Sequence, residues 1–322
     1  MSYKIFIDGQ EGTTGLKIHK RLQGRSNLEI LTISGDERKN LNARLEMISK
    51  ADITFLCLPH AASREIAENA DKSRRILDSS TAHRTNKDWV YGFPELNATQ
   101  RDKIKKSNRV AVPGCHATGF ISMVAPLISL GIVQKDYPFT CHSLTGYSGG
   151  GKSMIAQYES DSRDQSLDSP RQYGLTQSHK HLPEMKAVTG IDHAPVFHPI
   201  ISDYYSGMLV TVSLHSRMLG NRVNPEELRQ SYLEYYREQP LIQIRKTEEN
   251  PADGFMPANA LTGTDGLEIF VSGNEERIVL MARYDNLGKG ASGAAIQCMN
   301  IMLDLPESEG LVIKNRGKQN VD

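Results

Sequence analysis

The chain has 322 residues, and its 38 Lys plus Arg balance 38 Asp plus Glu. That balance excludes a global basic field for nucleic acid or a membrane surface, and no apolar run reaches membrane-spanning length. The four cysteines (Cys57, Cys115, Cys141, Cys298) have no C-x-x-C spacing, which argues against a disulfide framework or a structural zinc site. The length favours two domains, and the start of the chain has no signal-peptide pattern, so a cytoplasmic α/β protein is expected.

Residues 4–8 form a short apolar run ending in Gly9-Gln10-Glu11-Gly12-Thr13-Thr14-Gly15, after which residues 16–22 have helical spacing. A strand, a glycine-rich turn and a helix make the unit that cradles a pyrophosphate on helix N–H groups. The spacing is G-x-x-G-x-x-G rather than G-x-G-x-x-G, so the position at the first strand of an alternating β/α pattern carries the reading. A tight turn without ligand is the alternative. On the first reading Gly9, Gly12, Thr13, Thr14 and Gly15 belong to a cofactor loop.

Residues 28–34 give a second strand. Where an acidic residue would end it and hold a ribose 2′-hydroxyl, this chain has Ser34 and Gly35, with Arg38 and Lys39 close behind. A small hydroxyl and cations suit a 2′-phosphate. NADP is therefore the expected cofactor, with Ser34 and Arg38 at that phosphate; a solvated charged loop is the alternative.

A third strand is expected at 53–58, a helix at 61–70, a fourth strand at 75–78, a polar helix capped by Asn97 and a strand at 109–112. Such alternation implies a parallel sheet with right-handed crossovers, whose ligands gather at the strand C-terminal ends. The glycine loop, Pro59-His60, Ser79-Ser80-Thr81-Ala82-His83-Arg84 and Cys115 all lie at such ends. Cys115 sits between an apolar run closed by Pro113-Gly114 and a helix expected at 117–130. A thiol at a helix N-terminus is favoured as thiolate, while a small buried residue at a turn is the plain alternative.

The second half changes character. Runs at 139–144, 207–214, 267–271 and 278–284 alternate more than they run, with helices at 184–188 and from the Asn224-Pro225 cap to about residue 238. They imply an antiparallel or mixed sheet with helices on one face, hence an α+β domain. A last helix at 290–303 returns to the first domain, and the polar tail 306–322 is expected to be loosely held.

Three motifs bear on chemistry. Gly146-Tyr147-Ser148-Gly149-Gly150-Gly151-Lys152-Ser153 matches the phosphate-loop pattern G-x-x-x-x-G-K-[ST] letter for letter. A nucleotide phosphotransferase also needs a downstream strand ending in a metal-binding Asp, and residues 208–214 end in His215-Ser216 instead. A glycine-rich loop lying against a ligand is the better reading. His179-Lys180-His181 with Glu184 offers two imidazoles and a carboxylate at a helix start, suited to a catalytic base, though surface histidines or a metal site also fit. His116 adjoins Cys115 but neighbours often diverge, and His193 and His198 are read as structural residues flanking a strand.

Six motifs in order, GxxGTTG from Gly9, YGFPEL from Tyr91, PGCHATG around Cys115, GYSGGGK from Gly146, HKHLPEM from His179 and DNLGKGASGAAIQ from Asp285, resemble those of the N-acetyl-gamma-glutamyl-phosphate reductases, in their short form. The resemblance covers nearly the whole chain. It implies NADPH-dependent reduction of N-acetyl-γ-glutamyl phosphate to N-acetylglutamate semialdehyde and phosphate, in arginine biosynthesis. It also implies a glyceraldehyde-phosphate dehydrogenase-like fold: a Rossmann-type dinucleotide domain (1–114 plus 289–322) and an α+β catalytic and oligomerisation domain (115–288) in a homodimer or homotetramer. Cys115 becomes the nucleophile, and His181 and His179 take the base and substrate-orienting roles. Ser148, Gly149 and Asn286 approach the nicotinamide. Arg84 is the candidate grip for a substrate anion, since a guanidinium matches carboxylate or phosphate, with an ordinary surface arginine as the alternative, and Glu184 is placed at the substrate.

Two departures stand out. Larger relatives read roughly LSADFR where this chain has Ala82 in place of Asp, and carry Arg-Gly where it has Ser206-Gly207. Lys152 and Lys180 are therefore possible substitutes for a phosphate-binding cation. The neighbouring readings are an aspartyl-phosphate dehydrogenase and a non-enzymatic NADP-binding regulator.

Overall fold

The structure is a computed structural model that describes residues 2–220, 223–246 and 254–314. The first part alternates strand and helix: β1 (Tyr3–Asp8), α1 (Thr13–Leu22), β2 (Leu28–Leu31), α2 (Leu41–Lys50), β3 (Ile53–Leu56), α3 (His60–Asn69), β4 (Ile76–Asp78), β5 (Val90–Tyr91), α4 (Gln100–Lys106) and β6 (Arg109–Ala111). These six strands form an all-parallel sheet in the order β2-β1-β3-β4-β6-β5. Its central strands are apolar on both faces because both faces are covered. Phe6 points to one side, with Ile48 of α2 and Ile66 of α3, whereas Ile5 and Ile7 point to the other, with Ile18 and Leu22 of α1.

The second part contains α5 (Cys115–Ser129), β7 (Thr140–Gly146), α6 (Gly151–Tyr158), β8 (Arg171–Gln172), α7 (Leu182–Thr189), β9 (Val196–Ser202), β10 (Met208–His215), α8 (Pro225–Tyr235), β11 (Ile242–Arg245), β12 (Leu267–Gly273) and β13 (Arg277–Tyr284). Its seven strands are ordered β11-β12-β13-β10-β7-β9-β8, antiparallel except for the β7/β9 and β11/β12 pairs. Twelve of the fifteen residues of α5 are buried, so this helix is the centre of the second core rather than a surface element. Helix α8 opens on a reciprocal capping box between Asn224 and Glu227. It is tied to α5 by Tyr236, whose hydroxyl donates to the Ser122 carbonyl at 2.8 Å.

The final helix α9 (Gly293–Met302) returns to the parallel sheet, where Ile296, Met299 and Met302 join its core. Before it, Gly288–Ser292 forms a π-helical turn rather than the start of the expected α-helix. Lys289 in that turn is fully buried; its ammonium donates to Glu95 (2.7 Å) and Gln297 (2.6 Å) and lies 5.1 Å from the Phe93 ring centroid. A buried ammonium is tolerable only when so matched.

Several local expectations need correction. The second strand stops at Leu31 and the third at Leu56, which leaves Ser34 and Leu58 in loops. The short strand β5 had no sequence signal, being two residues long. Asn97 does not cap α4: Thr99 stands at the cap, and the Asn97 side chain accepts from the Thr99 N–H and hydroxyl. His198 lies inside β9, stacked on His142 with ring centroids 4.6 Å apart, rather than beside the strand.

Residues 306–314 are not loose. Glu309 pairs with Arg25 (2.6 Å), Glu307 with Arg101 (2.7 Å), and Val312 exchanges hydrogen bonds with Asp265. The acids of this polar segment meet arginines distant in sequence, which no local pattern announces. The rest of the expected loose tail, 315–322, lies outside the described residues. Among the described residues no helix is long and apolar enough to cross a membrane.

Candidate active site

The C-terminal ends of β1, β3, β4 and β6 open onto one cavity of about 900 Å³, closed on the far side by loops of the seven-stranded sheet. Cys115 is half-buried at the first position of α5, with Gly114 as the N-cap. Val112-Pro113-Gly114 brings the chain out of β6, and Tyr284 donates its hydroxyl to the Cys115 carbonyl.

Arg84 is held beneath this turn. Its Nε donates to the Val112 carbonyl (2.9 Å), Nη2 to the Ser79 carbonyl (3.0 Å) and Nη1 to Glu184 (3.1 Å). The preceding His83 is pinned in turn, bonded through Nδ1 to buried Asp78 (2.6 Å) and stacked on Trp89. Glu184, expected at the substrate, lies instead behind the site. It is 1 % exposed, does not line the cavity, and accepts from Tyr91 Oη (2.6 Å), the Gly114 N–H (2.7 Å) and Arg84. Its oxygens are committed to fixing the turn that carries Cys115.

Three imidazoles cluster beside the thiol. His179 and His181 meet edge-on at 4.8 Å between centroids, and each ring lies 5.5 Å from His116. Burial is the first cause that keeps all three neutral: it pushes His179 down to about 4 and His116 to about 3, and, with Arg84 next in weight, holds His181 well below its ordinary value. A neutral ring can accept a proton. His181 has a buried Nδ1 with no protein partner, and its Nε2 lies beside the Gly114 Cα. His116, by contrast, has both nitrogens occupied, by Ser143 Oγ (2.6 Å) and Tyr173 Oη (2.7 Å). His116 adjoins Cys115, and neighbours in sequence often diverge, yet the helix brings these two together. In the first turn of a helix successive side chains are only about 100° apart, so Cys115 and His116 both face the cavity. Tyr173, Ser143 and Tyr284 had no sequence signal at all.

Burial also raises the Cys115 thiol above its ordinary value of 9.0, opposed by the charges of Arg84 and Lys180. Burial thus works against the thiolate that the helix N-terminus and the two cations favour. Alkylation of Cys115 by iodoacetamide in the ligand-free protein should keep accelerating beyond pH 9, since only the thiolate reacts. A plateau reached near neutral pH would refute this.

On the dinucleotide side, Gly12 caps α1 with no side-chain cap, which leaves the first-turn N–H groups of Thr13 and Thr14 available at the cavity wall. Gly9 and Gly15 do not line it. Gly9 has φ +84°, and a β-carbon on Gly15 would stand 2.3 Å from the Gly9 carbonyl oxygen, so these two shape the turn. Opposite them, Asn286 links the phosphate-loop-like stretch to the neighbouring loop: its Nδ2 donates to Ser148 Oγ (3.1 Å) and its Oδ1 accepts from the Gly207 N–H (2.9 Å). Ser148, Gly149 and Asn286 all line the cavity, whereas Lys152 does not and Lys180 does. Ser34 is exposed, and Arg38 reaches the glycine loop only through its ion pair with Glu11; neither lines the cavity. A pyrophosphate at α1 fits this cradle of glycine backbone and uncapped N–H groups.

Two family profiles match the chain: "Semialdehyde dehydrogenase, NAD binding domain" over residues 4–106 and "Semialdehyde dehydrogenase, dimerisation domain" over residues 115–286. The N-acetyl-gamma-glutamyl-phosphate reductase 2 of Nostoc sp. strain PCC 7120 is 44 % identical over 318 residues, covering 96 % of this chain and 99 % of that one. The N-acetyl-gamma-glutamyl-phosphate reductase of Rhizobium meliloti strain 1021 is 43 % identical over 308 residues, covering 94 % and 99 %. Among solved structures, a probable aspartate-semialdehyde dehydrogenase from Pseudomonas aeruginosa superposes with a TM-score of 0.71 at 14 % identity, covering 94 % of this chain and 99 % of that one. Aspartate semialdehyde dehydrogenase with NADP from Candida albicans gives 0.63 at 16 % identity over 94 % and 99 %. The fold is that of a semialdehyde dehydrogenase with a nicotinamide-dinucleotide domain. Within that class, the chain belongs to the N-acetyl-gamma-glutamyl-phosphate reductase family.

Proposed function

We propose that this protein reduces N-acetyl-γ-glutamyl phosphate to N-acetylglutamate semialdehyde and phosphate through a thioester on Cys115, as a step of arginine biosynthesis. One observation carries the choice of substrate: among the described residues the cavity is lined by three cations, Arg84, Arg171 and Lys180, and by no carboxylate. An aspartyl phosphate has a free α-ammonium that needs an acid at the site, whereas an N-acetylated substrate is purely anionic.

In this reading the Cys115 thiolate attacks the acyl carbon, the oxyanion is met by N–H groups at the start of α5, and phosphate leaves with its bond electrons beside Arg84 and Lys180. Gly12, Thr13 and Thr14 would hold the pyrophosphate of NADPH and Ser148, Gly149 and Asn286 would line the nicotinamide side of the cavity; the bound cofactor would supply the hydride that reduces the thioester. His181, neutral and nearest the Cys115 turn, donates and accepts the proton at the carbonyl oxygen after the cysteine proton has passed to it, and His179 orients it. Arg84 acts as the fixed anion grip and Glu184 as the carboxylate that orients it.

The same proposal divides the chain into 1–114 plus 289–322 for the cofactor and 115–288 for catalysis and assembly, in a cytoplasmic homodimer or homotetramer. The profile boundaries at 106 and 115 support the division, and the dimerisation domain supports association. For NADP over NAD, Arg38→Ala should weaken NADPH by about tenfold while leaving NADH nearly unchanged. Equal effects would remove Arg38 from the 2′-phosphate.

The reverse assay tests the whole reading. N-acetylglutamate semialdehyde, NADP and phosphate, or arsenate, should yield NADPH, and omission of the oxyanion should stop turnover. Activity with aspartate semialdehyde instead would assign the sister reaction, and no activity with either aldehyde would leave a dinucleotide-binding protein.

A further inference from the structure

Of the three cations in the cavity, Arg84 and Lys180 act most strongly on Cys115, whose thiol both pull down. Arg171 stands apart. It lies on the edge strand β8, opposite Ile201 of β9, and reaches the cavity beside Met154 and Ile201. Its guanidinium lies 5.4 Å from the Tyr158 ring centroid, and Nη2 donates to Tyr158 Oη at 3.0 Å. Its Nε–H is buried and has no hydrogen-bond partner. Among the described residues no carboxylate is paired with it; the acid that feels its charge is the exposed Asp164, whose side chain already accepts from the Ser166 N–H.

A guanidinium fixed against a tyrosine, on a residue that lines a cavity and with a buried N–H left without a partner, is placed to take an oxyanion. The phosphate of an acyl phosphate is bonded to the reacting carbon and departs beside the cysteine, so its cations are those at Cys115. The second anion of the substrate, the α-carboxylate, is separated from that carbon by two methylenes and Cα. Met154 and Ile201 give those methylenes an apolar wall.

We propose that Arg171 binds the substrate α-carboxylate, remote from the reacting carbonyl, and so selects acyl chains that carry one. A guanidinium can hold a carboxylate through two parallel N–H hydrogen bonds. The assignment rests on the acyl-phosphate reading of the site.

The test compares two aldehydes in the reverse direction: N-acetylglutamate semialdehyde, and 4-acetamidobutanal, which is the same molecule without the carboxylate. Arg171→Met should lower kcat/KM for the first by about 100-fold and leave the second and the KM for phosphate unchanged. Arg171→Lys should recover part of the loss, and NADP binding, unaltered in both variants, serves as the check on folding. Equal losses with both aldehydes would reduce Arg171 to a structural role. A raised phosphate KM with aldehyde discrimination intact would move it to the phosphate site. If the unsubstituted protein turns over neither aldehyde, the acyl-phosphate reading itself fails, an outcome distinct from wild-type discrimination lost or kept in the variant.

Discussion

Cys115→Ser is expected to bind NADP as the unsubstituted protein does and to lose kcat by about 10,000-fold. The side chain is half-buried at the start of α5, where the thiol is already raised by burial and assisted by Arg84 and Lys180. A serine hydroxyl in the same place is far harder to ionise than a thiol, and an oxygen ester is a poorer hydride acceptor than a thioester. Steady-state NADPH formation and equilibrium titration with NADP measure the two quantities separately. Turnover within tenfold of normal would exclude a covalent path through this residue.

Gly114→Ala is expected to lower kcat/KM by at least about 100-fold while the melting temperature moves by only a few degrees. Gly114 has φ −77° and ψ 145°, which alanine adopts without strain, so the backbone does not object. Space does: the new β-carbon would stand 2.4 Å from Arg84 Nη1 and 2.6 Å from His181 Nε2. Arg84 is anchored by two carbonyls and Glu184, and His181 is packed against His179 and His116, so neither side chain has room to yield without leaving its position. The dinucleotide cradle at Gly12 does not touch Gly114, and NADP affinity should be unaffected. Normal kcat/KM in this variant would show that neither Arg84 nor His181 needs its present place for the chemistry.

The parallel sheet was legible because its strands are apolar runs separated by helix-length segments, and because each run ends in residues that cannot continue a strand, such as Gly9, Pro59 and Pro113. Its weakest members were not. Val90–Tyr91 pairs for two residues only, too short for any periodicity, and α4 begins one polar residue beyond a choice among Asn97 and Thr99 that looks degenerate in sequence. The last helix, expected at 290–303, overlaps a π-turn at Gly288–Ser292, whose Lys289 is buried only because Glu95 and Gln297 are brought around it.

In the site, residue types named chemistry but not direction. Arg84, His179, His181, Ser148 and Asn286 line one cavity with Cys115, while Glu184 lies behind it and Lys152 does not line it. His116 stands in the motif PGCHATG but was expected to diverge from Cys115, whereas Tyr173 belongs to no pattern, and the hydrogen bond that joins them spans 57 residues.

By itself the sequence determined the order of strands and turns, the thiol at a strand-to-helix junction and the family motifs, because these are local in the chain and depend on apolar runs, glycine and proline. Only the tertiary structure decided which charges act together. Ion pairs such as Arg84 with Glu184 or Lys289 with Glu95 join segments 100 and 194 residues apart, and burial, a property of the packed chain, moves the Cys115 thiol up and its three histidines down.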